Sequence, residues 1–207
     1  MNQPFSSLLL HKQHAKIVGS ILIAYGEIEF DVMGCLAEIL GSATQALQVM
    51  FRVRSESTRI HIADAIMRPR FQALKIDAYD HFIMAVHDCI AVRNQYAHCH
   101  WNNDGKKLFF TMLEHFATPK VPPAGLKKHR INLDLLKKQQ AYFRYAQEGL
   151  WYIQTEYEKG IGKGSSHPWP KPKEVLKPPK YIGQGIQVHP NKKKFPRPKR
   201  KAPKRTS

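Results

Sequence analysis

From Ile17 onward the apolar residues fall at Ile17, Ile21, Ala24, Tyr25, Ile28, Val32, Cys35, Leu36, Ile39 and Leu40. Steps of three and four place them on one face of a long amphipathic helix, and Gly41 stands where such a helix stops. A shorter helical stretch covers Ala46 to Val53. A third begins near Ser55 or Ser57, either able to cap it, turns Ile60, Ile62, Ala63 and Ile66 inward, and ends against Pro69. A fourth, long pattern runs from about Phe71 to Tyr96 through Leu74, Tyr79, Phe82, Ile83, Val86, Cys89 and Ile90.

After residue 98 the texture changes. Asn102-Asn103-Asp104-Gly105 is turn chemistry, so a small hairpin is expected to join Cys99–Trp101 to Leu108–Thr111. Pro119, Pro122, Pro123 and Gly125 mark an irregular connection. Asn132 can then cap a last helix carrying Leu135, Leu136, Tyr142, Phe143, Ala146, Leu150, Ile153 and Tyr157. The pattern predicts an all-α class: a helical bundle over residues 1–160 with one two-stranded embellishment.

Charge separates this bundle from the C-terminal residues. Of the 207 residues, 1–160 carry 19 Lys/Arg against 15 Asp/Glu, while 161–207 carry 14 against one and hold 9 of the 14 prolines. Prolines at that density break helices and leave too little apolar surface to offset ordering entropy, so residues 161–207 read as a disordered basic tail. Lys192, Lys193, Lys194, Arg197, Lys199, Arg200 and Lys201 could neutralise several phosphates of a nucleic acid, sit on an anionic membrane, or simply keep the chain soluble. Three cysteines, none in a Cys-x-x-Cys pair, make no disulfide framework and suggest a reducing compartment, the cytoplasm or a nucleus. The apolar run Ile17–Tyr25 is about half the ~20 residues a membrane span needs, and Glu27, Glu29 and Asp31 follow it. No span and no cleaved leader is expected there.

The stretch that could carry chemistry is Val92-Arg93-Asn94-Gln95-Tyr96-Ala97-His98-Cys99-His100-Trp101. The stripe Phe82, Val86, Ile90 lands three residues later on Arg93, a guanidinium where a leucine would be expected. Such a charge needs a carboxylate partner or a hydrated cleft. Asn94 and His98 share a helix face, whereas Arg93 and His98 diverge by roughly 140° on an ideal helix. They converge only if the helix frays near His98 or if a second copy of the chain supplies the complement. The set suits a phosphodiester: arginine offers a bidentate fork to phosphate, histidine moves a proton near neutrality, and asparagine orients either one. The competing structural account pairs Arg93 with Glu29 or Asp88 and lets His98 satisfy the carbonyl end of its helix.

Arg93-Asn94-x-x-Ala97-His98, followed by Trp101 at the end of a long helix, resembles the signature of the HEPN superfamily, an arginine followed four to six residues later by a histidine. Ile21 to Leu40, with Gly26-Glu27-Ile28-Glu29, also looks like the first helix of such domains, and the resemblance spans roughly residues 15–160. It implies a metal-independent endoribonuclease that works as a homodimer with both motif helices lining one cleft. Arg93 then matches the family arginine, His98 the histidine and Asn94 the polar neighbour. The ribose 2′-OH would attack the adjacent phosphate, with His98 as acid or base and Arg93 stabilising charge on the phosphorane, leaving a 2′,3′-cyclic phosphate and a 5′-OH. Many members are toxins, held by a cognate antitoxin, or act in defence against phage. Glu29 could support Arg93. His100 stands where some members carry a tyrosine that a partner modifies, so that control is not implied here.

No cofactor is implied by the sequence. His98-Cys99-His100 with Cys89 and His87 matches no common zinc spacing. Ser165-Ser166-His167 lies in the tail, and the glycines at 160, 162 and 164 lack the P-loop ending. The second reading is a non-catalytic helical module that dimerises and binds nucleic acid or an acidic protein through its tail.

Overall fold

The computed structural model describes residues 6–112, 127–164 and 168–186. A 3-10 turn, Ser7–Leu10, capped by the Ser6 hydroxyl, leads into α1, Lys12–Leu40. The helix starts five residues before the first apolar position of its stripe and stops where expected, at Gly41, whose φ of 65° is the left-handed conformation that only glycine adopts cheaply. Ser42 caps α2, Ala43–Phe51, through Gln45 N, and Ser55 caps α3, Glu56–Ala73, through Thr58 N.

Pro69 does not end α3. Proline withdraws the N–H that the Ala65 carbonyl would receive, but Ala65 and Pro69 both face water, while Met67 and Phe71 on either side are buried and hold the last turn in place. The stop comes at Lys75 instead. Its φ is 55°, Lys75 N bonds Gln72 O at 3.0 Å, and Ile76 N reaches back to Phe71 O at 3.0 Å, the paired bonds of a Schellman motif built without glycine. Phe71 therefore closes α3 rather than opening the fourth helix, and α4 runs Ala78–His98.

The last helix, α5, covers Leu133–Gly160 with Asn132 Oδ1 accepting from Leu135 N at 2.9 Å. Helix α1 packs on all the others, and α5 closes against α1 and α4. Gly149 sets how near α4 and α5 can come, since a Cβ there would overlap the Phe82 ring. The core continues through Ile21, Ile28, Leu36, Ile60, Met67, Phe143 and Leu150.

The predicted hairpin is present as β1, Cys99–Asn103, and β2, Leu108–Met112, in antiparallel register with Trp101 opposite Phe110. The turn is tied by Asp104 Oδ1, which accepts from Lys106 N at 3.1 Å and Lys107 N at 2.7 Å, with Gly105 at φ 88°. It is half of a larger sheet. Strand β3, Lys128–Ile131, and strand β4, Ile182–Ile186, extend it to four antiparallel strands in the order β1-β2-β3-β4. The two-stranded embellishment is thus a correction: Lys-His-Arg-Ile alternates over too few residues, and Ile-Gly-Gln-Gly-Ile has too little side chain, for either to read as a strand.

Strand β4 brings a second correction. Of residues 161–207, expected to be disordered, the described residues 168–186 instead return across the helices. Trp169 lies against Trp151 with ring centres 4.4 Å apart, Lys177 pairs with Asp88 at 2.5 Å, and Gln139 Nε2 donates to Pro179 O and Lys180 O at 3.0 and 3.2 Å. Gln95 Nε2 donates to Lys180 O at 3.0 Å, and Tyr96 Oη donates to Gln139 Oε1. Proline-rich chain cannot bond to itself in a helix, but its carbonyls serve buried amides of the body. Lys192, Lys193, Lys194, Arg197, Lys199, Arg200 and Lys201 lie outside the described residues.

Candidate active site around Arg93

Helix α4 continues unbroken to His98, so fraying does not bring Arg93 and His98 together within one copy. The two side chains leave the helix in different surroundings. Arg93 is half-buried between α1, α3 and α4: its Nη1 donates to Glu56 Oε2 at 2.7 Å and to Asn94 Oδ1 at 2.9 Å, and its guanidinium lies 5.6 Å from the centre of the Tyr25 ring. His98 is exposed at the last position of α4 and makes no hydrogen bond, ion pair or ring contact with the described residues. It does not serve the carbonyl end of its own helix. His100, two residues on in β1, is exposed as well.

Neither carboxylate suggested by the sequence is the partner of Arg93. Glu29 pairs with Arg59 at 3.1 Å, and Asp88 is engaged by Lys177 and by the Tyr142 hydroxyl at 3.3 Å. The partner is Glu56, the first residue of α3, where the helix N-terminus also favours a negative charge. Glu56 escapes a reading of the sequence because partners on separate helices carry no spacing signal; its place directly after the capping Ser55 is the one available clue.

Two acids and two guanidiniums thus share one interface. Burial pushes the Glu29 carboxyl above the usual range, with Arg59 opposing, and burial beside Glu29 and Glu56 raises the Tyr25 hydroxyl. Phe51 lies under Arg59 at 5.6 Å. The cluster is close to neutral, so its role is to fix Arg93 rather than to create a strong field. Both described bonds of the guanidinium use Nη1. Its Nε and Nη2 take no partner among the described residues, and the side chain keeps 24% of its surface. An arginine held by one nitrogen with its other donors uncommitted can still receive a phosphate edge-on.

The remaining candidates do not assemble. Among the described residues no group of three or more His, Cys, Asp or Glu could hold a metal ion, and no helix is long and apolar enough to cross a membrane. Cys35, Cys89 and Cys99 are unpaired thiols. Burial raises all three, Cys35 and Cys99 to about 12, so none is a ready thiolate.

The chain matches no protein-family model, no curated protein and no solved structure.

Proposed function

We propose that this chain is a metal-independent endoribonuclease of the HEPN type that cuts single-stranded RNA as a pair of copies. The observation that carries this reading is the state of Arg93: anchored through Nη1 by Glu56 and Asn94, with its remaining donors free of the described residues, on the same helix as an exposed histidine that no described residue engages. Because Arg93 and His98 diverge on an intact helix, the histidine serving a given arginine comes from the other copy. In that arrangement His98 removes the proton from the ribose 2′-OH, and the oxygen attacks the adjacent phosphorus. Arg93 neutralises charge on the phosphorane, and the 5′-oxygen departs and takes a proton from water. The products are a 2′,3′-cyclic phosphate and a 5′-OH.

The test is incubation of the full chain with a defined single-stranded transcript in EDTA, followed by analysis of fragment ends. Cyclic-phosphate ends that disappear in Arg93→Ala and in His98→Ala support the reading. Cutting that either variant leaves intact removes it.

One observation favours a second reading, a non-catalytic nucleic-acid-binding module: the Glu56 carboxylate already balances the Arg93 charge. Under that reading RNA is bound but never cut, truncation after residue 186 removes binding, and the lost affinity is steeply salt-dependent.

A further inference from the structure

Between α4, the paired strands β2 and β3 and the returning C-terminal segment lies a cleft of about 390 Å³, within the size range of small-ligand sites. Phe110, Gln95 and His129 form its buried floor, and Asn94 contributes to its wall. Lys127 and Lys180 stand at its rim, both exposed, and none of the described residues that line it is a carboxylate. Phe110, His129 and Tyr181 form a run of rings: Phe110 to His129 at 5.2 Å and 29°, His129 to Tyr181 at 4.1 Å and 39°. Tyr181 ends the run with 38% of its surface in solvent.

We propose that this cleft is a subsite for one nucleotide of single-stranded RNA, its base continuing the ring stack on Tyr181 and its phosphate held between Lys127 and Lys180. The inference rests on the ribonuclease reading and names the part of that enzyme that grips the strand. Paired cations without acids select an anion, and an aromatic stack with an exposed end is the platform on which unpaired bases bind irrespective of sequence. Asn94 connects the cleft to the reaction. Its Oδ1 accepts from Arg93 Nη1, while the same side chain lines the cleft, so a nucleotide seated here delivers the neighbouring phosphodiester to the guanidinium.

The site is also conditional on the C-terminal segment. Lys180 and Tyr181 are brought to the cleft because Gln95 and Gln139 hold the Lys180 carbonyl. Neither bond uses the Lys180 side chain, so its charge can be reversed without releasing the segment.

The experiment measures binding by the full chain of a fluorescein-labelled 2′-O-methyl oligoribonucleotide, which lacks the attacking hydroxyl and cannot be cut. Adenosine 5′-monophosphate and inorganic phosphate serve as competitors, and circular dichroism reports folding of each variant. Lys127→Glu with Lys180→Glu is expected to weaken the oligonucleotide at least tenfold and to lower the salt slope by about 1 to 2. Tyr181→Ala is expected to weaken it about tenfold, while Tyr181→Phe, which keeps the ring, binds as the parent does. Adenosine 5′-monophosphate should compete better than inorganic phosphate. Equal competition by the two overturns the base-stacking half of the proposal, and unchanged affinity in the folded double variant and in Tyr181→Ala overturns it entirely. If the variants lose binding but the parent never cuts ordinary RNA, the subsite stands and the ribonuclease reading falls. If the parent cuts, Arg93→Ala does not, and the cleft variants bind normally, the subsite falls alone.

Discussion

The two halves of α4 are built for different purposes. Through Ile90 the helix is core: Tyr79, Phe82, Ile83, Val86 and Cys89 are buried, Tyr79 stacks on Phe71 at 4.5 Å and donates to Asp64 at 2.8 Å, and Phe82 fills the space that Gly149 leaves. Beyond Ile90 the same helix carries Arg93 and Asn94 in a polar junction, Gln95 and Tyr96 under the returning C-terminal segment, and Ala97 and His98 in solvent. One half lowers the free energy of the fold; the other presents charge and hydrogen-bonding groups held rigidly by that fold. Substitutions in the two halves should therefore separate stability from activity.

The largest separation is expected at His98. If the proposed ribonuclease reading holds, His98→Ala lowers RNA cutting by about 10² to 10⁴, the usual contribution of a general acid or base, with little change in melting temperature because the side chain touches nothing described. Single-turnover cutting and thermal melts on the same preparation check both halves of that statement. The reverse is expected in the core half. Phe82→Ala should cost about 3–5 kcal/mol in denaturant unfolding, and Gly149→Ala, which drives a methyl into the Phe82 ring, about 1–3 kcal/mol.

A smaller effect is expected at the junction of α1, α3 and α4, where pH changes the balance. The Glu29 carboxyl is raised by burial, so the folded state holds this proton more tightly than the unfolded state does. The contribution is fully present below the unfolded pKa and is lost as pH rises through the raised folded one. Relative to Glu29→Gln, which does not titrate, the parent should gain stability as pH falls from 7 toward 4. Parallel melts that show no relative gain would contradict the burial argument. The smallest effect is expected at Lys75. Lys75→Gly should raise stability in denaturant unfolding by roughly 0.5–1 kcal/mol, because relieving the left-handed backbone at the end of α3 outweighs the added freedom of the unfolded chain.

The helices are legible in the sequence because their apolar stripes recur at helical spacing and some caps agree: Ser55 and Asn132 open α3 and α5 and Gly41 ends α1, whereas the Ser42 cap, which starts α2 at Ala43 rather than Ala46, goes unread. Pro69 misleads because the usual penalty assumes a buried carbonyl with no substitute partner, whereas Ala65 and Pro69 lie on the exposed face of α3, where water can serve. Strands β3 and β4 are illegible because their pairing, not their composition, makes them strands. Residues 168–186 are illegible for a related reason: the groups that order them, Gln95, Gln139, Asp88 and Trp151, lie far away in sequence. At the site, Arg93, Asn94 and His98 stand out as a local pattern, but the partner Glu56 and the aromatic stack ending at Tyr181 depend on tertiary proximity.

In the proposed enzyme, Arg93 from one copy and His98 from the other act on the same phosphodiester. Mixing inactive Arg93→Ala protein with inactive His98→Ala protein tests this directly, because a mixed pair contains one complete site and one lacking both groups. With free exchange, about half the pairs are mixed, and the mixture should recover about one quarter of the parent's cutting rate. A mixture that exchanges subunits yet stays silent, while the parent cuts, would contradict the shared site.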